Sequence, residues 1–174
     1  MRLILIPAAV VCAACAQRSP IPARPGAGMM SVQWTGRLRG SLSAPATARW
    51  CAADTLLEII AVRGDTAVGL TLIARDSARA EIYVVNETQN FAPGRPQAAV
   101  ALRLLGEMSL LGFEAIAGQV HVTQSGGPMV SGALDVRLRP VSGADTLQMK
   151  GSFERIPVGA AAGVCGRANR PGAG

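Results

Sequence analysis

From Ser31 onward, the chain is a succession of short apolar segments separated by turn residues, at intervals of roughly ten residues. The Arg63-Gly64-Asp65 sequence between two of these segments is a typical hairpin turn. This spacing predicts a mainly β protein, as a single antiparallel β-barrel or β-sandwich domain of about eight to nine short strands. With 174 residues, the chain is long enough for one such domain and short for two.

The apolar segments define the predicted strands. They lie at residues 31–42, 55–62, 66–74, 79–85, 98–105, 110–116, 118–124, 129–139 and 145–156. Alternation is clear in the eighth segment, where Leu134, Val136 and Leu138 share one face, so we expect that face to be buried. One segment also fits a short amphipathic helix over residues 96–109, because apolar residues recur there at helical spacing, at Ala101, Leu104, Leu105 and Met108.

The N-terminus has the layout of a secretory signal: Arg2, an apolar stretch over residues 3–11 and then small residues. The sequence VCAAC at residues 11–15 resembles the lipobox of bacterial lipoproteins, in which small residues precede a cysteine that is diacylated before cleavage. The resemblance implies a signal peptide over residues 1–14 and a lipid anchor on Cys15. Because Ala16 follows rather than Asp, it also implies an outer-membrane protein that faces the periplasm. Cleavage after Ala16 is the alternative, and it would release a soluble periplasmic or secreted protein.

The segments that flank the predicted domain differ from it in composition. Residues 15–30 combine the lipidated cysteine with a Pro- and Gly-rich sequence that suits an extended tether. We therefore place the β domain at residues 31–167 and a disordered tail at residues 168–174.

Four cysteines occur in the chain. Cys12 would be removed with the signal and Cys15 would carry lipid, which leaves Cys51 and Cys165. Two remaining cysteines in an oxidising compartment predict one disulfide between them. A metal or redox pair is less favoured, because Cys51 and Cys165 do not lie in a C-x-x-C motif and the sequence contains only one histidine.

Few residues of this chain suit catalysis. His121 shares strand parity with Gln119 and Thr123, which predicts a place on the polar face, and no Gly-x-Ser-x-Gly motif accompanies it. The acidic residues are scattered, mostly beside arginines or in turns. No EF-hand spacing, zinc-ligand cluster or phosphate-binding loop is present, so we predict no metal and no cofactor.

The net charge of +6 comes from 17 basic residues, of which only Lys150 is not arginine. These arginines are scattered singly with almost no aromatic residues between them, which argues against a nucleic-acid partner.

These observations favour a non-catalytic envelope lipoprotein, with the membrane as one partner through its anchor and an envelope protein or polymer as the other. The alternative is a calycin-like barrel that carries a small hydrophobic molecule. It depends on space left inside the domain by small residues, at Ala67, Gly69, Ala98, Ala99, Ala101, Ala115 and Ala117. A hydrolase with an unrecognised acidic site is the third and least favoured hypothesis.

Overall fold

A computed structural model describes residues 28–74, 76–86, 95–106, 109–125 and 127–160. These residues form nine strands. The strands are β1 (Met29–Gly36), β2 (Gly40–Cys51), β3 (Leu56–Arg63), β4 (Thr66–Ile73), β5 (Ile82–Val85), β6 (Gln97–Leu105), β7 (Leu110–Gln124), β8 (Met129–Pro140) and β9 (Leu147–Ala160). The described residues contain no helix long and apolar enough to cross a membrane.

All nine strands belong to one sheet that closes on itself, because β1 pairs with both β2 and β9. Most neighbours are antiparallel, as predicted. Two pairings are parallel, however: β5 with β6, and the last residues of β9 with β2. The expectation of a purely antiparallel sheet was therefore wrong. β5 and β6 follow each other in the chain but run in the same direction, with Val84 and Val85 beside Gln97 and Ala98, so they do not form a hairpin.

Two regions of the chain differ from the predicted strands. The predicted strand over residues 31–42 is two strands with a break at residues 37–39, and β2 continues to Cys51. Residues 110–124 form the single strand β7, in which the register with β8 shifts between Ala115 and Ala117. A local bulge therefore accommodates the small residues that resembled a turn. The alternative helix over residues 96–109 is also wrong, since residues 97–105 are strand β6.

Period-two alternation directs one side of every strand into the closed sheet. In β8 the buried residues include Leu134, Val136 and Leu138, which confirms the predicted buried face. In β2 the buried positions are mostly alanines, at Ala44, Ala46 and Ala48. The interior is thus a single apolar core made by the inward faces of all nine strands.

Two inward-facing aromatic rings lie over glycines of neighbouring strands. Trp34 is the register partner of Gly40, and Phe153 is that of Gly132. A Cβ atom on Gly40 would lie 2.4 Å from Trp34 Cζ2, and one on Gly132 would lie 2.5 Å from Phe153 Cζ. The glycines therefore give each ring the space beside its neighbouring strand, and a chain with few aromatic residues still fills its interior.

Tyr83 attaches the β4–β5 connection to this core. Its ring is 0% exposed. The backbone N–H of Arg79 donates to Tyr83 Oη at 3.0 Å, and the hydroxyl donates to the carbonyl oxygen of Arg79 at 3.3 Å. Burial raises the pKa of Tyr83, so the hydroxyl stays protonated and the pair of hydrogen bonds is retained.

The strand directions divide the connections between two ends of the closed sheet. We call the end that carries residues 37–39, 64–65, 106, 109 and 141–146 the apical end, and the opposite end the basal end. β1 begins and β9 ends at the basal end, where Trp50 and Ala160 are register partners. The chain therefore enters and leaves the described domain at the same end.

Candidate functional site

The cysteines that the sequence singles out lie only partly within the described residues. Cys15 and Cys165 lie outside them. Cys51 ends β2, is 1% exposed and is disulfide-bonded. Because Ala160 lies beside Trp50, the chain leaves the sheet next to Cys51 and five residues before Cys165. Pairing of Cys51 with Cys165 stays a prediction that this geometry supports.

His121 lies on the outer face of β7 and is exposed, as its strand parity predicted. Its register neighbours are Ile82 on β5 and Ala133 on β8, which carry no group able to exchange a proton. Over the part of the chain that the structure describes, His121 has no hydrogen bond to an orienting carboxylate or to a hydroxyl nucleophile. The arrangement does not resemble a catalytic triad.

Several carboxylates are engaged in surface ion pairs. Glu58 accepts a hydrogen bond from Arg49 at 2.5 Å, and Asp76 accepts one from Arg79 at the same distance. Among the described residues, no three His, Cys, Asp or Glu side chains come together in a way that could hold a metal ion. The structure thus accounts for Glu58 and Asp76 as ion-pair partners of arginines.

A polar groove of about 460 Å³ crosses the outer faces of β7, β8 and β9. Its lining residues are Ala117, Gly118, Gln119, Asp135, Arg137 and Gln148. Gly118 has φ of +121°, and a Cβ atom there would lie 2.3 Å from the carbonyl oxygen of Asp135. The backbones therefore approach closely behind the groove, and only glycine permits this approach.

Asp135 is the central charged group of this groove. Lys150 Nζ lies 2.8 Å from Asp135 Oδ2, and Gln148 donates a hydrogen bond to Oδ1. The hydrogen bond from Lys150 is the main cause of a lowered pKa for the Asp135 carboxyl. A carboxylate held ionised by two donors is a poor general acid, so the groove is better suited to polar surface contacts than to proton transfer.

The interior offers little support for a ligand cavity. Of the seven small residues that could have left space inside, only Ala98 and Ala115 face the core. The others are half-buried positions on the outer face, at Ala67, Gly69, Ala99, Ala101 and Ala117. The core is instead occupied by large buried side chains, such as Tyr83, Phe153 and Leu102. The carrier hypothesis took these small residues from composition without assigning them to a face of a strand, and five of the seven lie on the outer face.

The apical end carries most of the exposed large apolar side chains among the described residues. Leu105 and Leu110 face each other across the β6–β7 pair and are 57% and 62% exposed, while Val141 is 72% exposed. Beside them lies a cleft of about 310 Å³. Its lining residues are Arg37, Leu38, Leu111, Phe113, Pro140, Ser142, Gly143, Asp145 and Leu147. This surface was not predicted from the sequence, because its residues come from separate turns and strand ends.

Charged groups surround the apical cleft. Arg37 and Asp145 form an exposed ion pair with Nη1 and Oδ2 at 2.5 Å, and the hydrogen bond from this pair raises the pKa of Arg37. Val141 N–H donates to the carbonyl oxygen of Gly112 at 2.9 Å, which fixes the β8–β9 connection against β7. The apical end thus presents aliphatic side chains on well-connected turns with arginines beside them.

Comparisons of the chain with protein-family models, curated proteins and solved structures find no match.

Proposed function

We propose that this protein is an exported lipoprotein, anchored through Cys15, whose domain is a small β-barrel that serves as a non-catalytic interaction module. The observation that carries the proposal is the separation of the two ends of the domain. Most exposed aliphatic side chains lie at the apical end, whereas the chain enters from the direction of Cys15 at the basal end. An anchor at one end and a contact surface at the other suit a protein that holds a partner near a membrane.

The reach of the tether is compatible with this arrangement. Between Cys15 and Gly28 lie thirteen peptide steps, which span roughly 40 Å when extended. The Pro and Gly content of this segment is typical of a spacer. The domain could therefore orient its apical end freely while the anchor stays in the bilayer.

The filled interior favours an interaction module over a carrier of hydrophobic molecules. A carrier needs an apolar cavity, and such sites usually occupy several hundred Å³. Here the inward faces of the nine strands form one continuous core of buried side chains. The exposed setting of His121 and the ion pairing of Asp135 likewise support a non-catalytic function.

The anchor is tested by labelling cells with an alkyne fatty acid and comparing wild type with Cys15→Ser. The matched control is Cys12→Ser, which lies three residues earlier in the same segment. We expect fatty-acid label and membrane fractionation to be lost in Cys15→Ser and retained in Cys12→Ser. A wild-type protein without label, or with its N-terminus at Gln17, would contradict the proposal.

A further inference from the structure

Each of the four apical connections has, within it or at the end of an adjoining strand, an exposed aliphatic residue within two positions of an arginine. The pairs are Leu38 with Arg39, Val62 with Arg63, Leu105 with Arg103, and Val141 with Arg139. Each pair lies in or beside a different connection, so the pattern recurs around the rim of the closed sheet. We call this rim, together with Leu110 and Leu111, the apical face.

Exposed large aliphatic residues are concentrated on this face. Among the described residues, ten large hydrophobic side chains are exposed, and six of them lie on the apical face. The remaining four are spread over the sides and the basal end, at Met29, Ile60, Ile82 and Val84. Scattered aliphatic residues are normal on a protein surface, whereas a concentration at one end indicates a contact surface.

Three arginines of the apical face, Arg39, Arg63 and Arg103, leave positive charge available for a partner, whereas Arg139 is engaged in an interaction within the domain. Arg39 and Arg103 form no ion pair with any residue that the structure describes. Arg63 donates to a backbone carbonyl, that of Ser43, at 3.1 Å, so its charge is not neutralised there. At the same end Asp145 is already paired with Arg37, and the exposed Asp65 offsets one of the three available charges, so the balance stays positive. The face therefore complements a partner that is apolar and negatively charged.

We propose that the apical face docks on an anionic phospholipid bilayer. Aliphatic side chains at the tips of turns can enter the boundary between headgroups and acyl chains, while neighbouring guanidinium groups stay at the level of the phosphates. A bilayer is flat and extended. A rim of four similar turns can contact such a surface at several points, whereas a single deep pocket would suit a small ligand better. The bilayer is then the partner of the interaction module, and only the location of the protein in the cell depends on the proposed function.

The test uses the chain from residue 15 onward, exported behind a signal peptide of known cleavage site and carrying Cys15→Ser. Without the anchor, failure of this proposal is distinguishable from failure of lipidation. Flotation with vesicles of phosphatidylglycerol and phosphatidylcholine measures binding, and vesicles of phosphatidylcholine alone measure the contribution of charge. We expect binding to the anionic vesicles that weakens as salt is added.

Two variant pairs separate the apical face from the rest of the surface. Leu105→Gln with Leu110→Gln removes facing apolar side chains, and we expect at least a tenfold loss of vesicle binding. Its matched control is Ile82→Gln with Val84→Gln on β5, whose side chains are 51% and 50% exposed. That control should bind vesicles like the parent.

The charge contribution is tested in the same way. Arg39→Gln with Arg103→Gln should weaken binding to anionic vesicles by about 30-fold, since each cation near an anionic surface contributes to the free energy of binding. Arg95→Gln with Arg137→Gln removes equal charge away from the apical face and should weaken binding far less. Absence of vesicle binding by the parent, or equal losses in apical and control variants, would overturn the proposal. Capture of an acidic protein through the apical face without vesicle binding would overturn it as well.

Discussion

Replacing Phe153 with alanine would open the interior where one ring fills the space over Gly132. Phe153 is 0% exposed, and its Cζ lies where a side chain on Gly132 would otherwise begin. Loss of a buried phenylalanine costs about 3–5 kcal/mol, because both transfer free energy and cavity formation oppose folding. For a domain of roughly 130 residues, unfolding entropy of about 0.27 kcal/mol per degree converts this into a fall in Tm of about 11–18 °C.

The assay is thermal unfolding followed by circular dichroism, with and without benzene. A dry apolar cavity of this kind can bind benzene, so benzene should raise the Tm of Phe153→Ala and leave that of wild type unchanged. Ile60→Ala is the control, since Ile60 is 44% exposed on the outer face and should cost less than about 1 kcal/mol. A loss below 1 kcal/mol for Phe153→Ala, or stabilisation of wild type by benzene, would refute a filled interior.

Three further predictions concern single contacts. Tyr83→Phe removes the hydroxyl that bonds the backbone of Arg79, and urea unfolding should show a loss of about 1 kcal/mol; an unchanged midpoint would contradict this contact. Gly118→Ala places a Cβ atom against the carbonyl of Asp135 and should destabilise by about 1–3 kcal/mol, whereas equal or greater stability would show that the backbones separate easily. The pKa of Asp135 is lowered, so its ion pair stabilises the fold above the ordinary carboxyl pKa and is lost as pH falls through the lowered value; carboxyl NMR titration should show this pKa rising in Lys150→Gln, and no change would exclude the pairing.

Local patterns in the sequence predicted the elements whose neighbours are also close along the chain. The turn at residues 63–65 joins β3 to β4 as expected, and β8 likewise pairs with the next strand along the chain, β9, across residues 141–146. Alternation of Leu134, Val136 and Leu138 was informative because one face of β8 is buried and the other is solvated. Period-two patterns of this kind predict which face of a strand is buried, but they do not predict which distant strand pairs with it.

The incorrect predictions arose where composition and tertiary structure disagree. Residues 43–51 were not predicted as strand, because alanine, serine and proline disfavour sheet formation. Pro45 is tolerated there because β2 begins to pair with β3 only at Ala46, so its missing N–H interrupts no ladder on that side. The parallel insertion of β5 beside β6 depends on a long connection, and no local signal in the sequence encodes it.

The candidate site was less predictable than the fold. The predictions of export, of a lipid anchor on Cys15 and of a disulfide between Cys51 and Cys165 depend on a motif and on cysteine counting, which use no tertiary structure. The apical face combines residues that lie far apart in the chain, such as Leu38 and Val141. Each resembles an ordinary turn residue alone, and only closure of the sheet brings them to one end.

The most direct test of the central claim is the intact mass of the non-reduced protein, extracted in detergent and measured under native conditions. For an anchored interaction module, we expect a chain that begins at Cys15 and carries a diacylglycerol group. Its mass should be lower by two hydrogens because of one disulfide, and no further ligand should be retained. An unmodified chain that begins at Gln17 would contradict the anchor, and a retained hydrophobic molecule would contradict the filled interior.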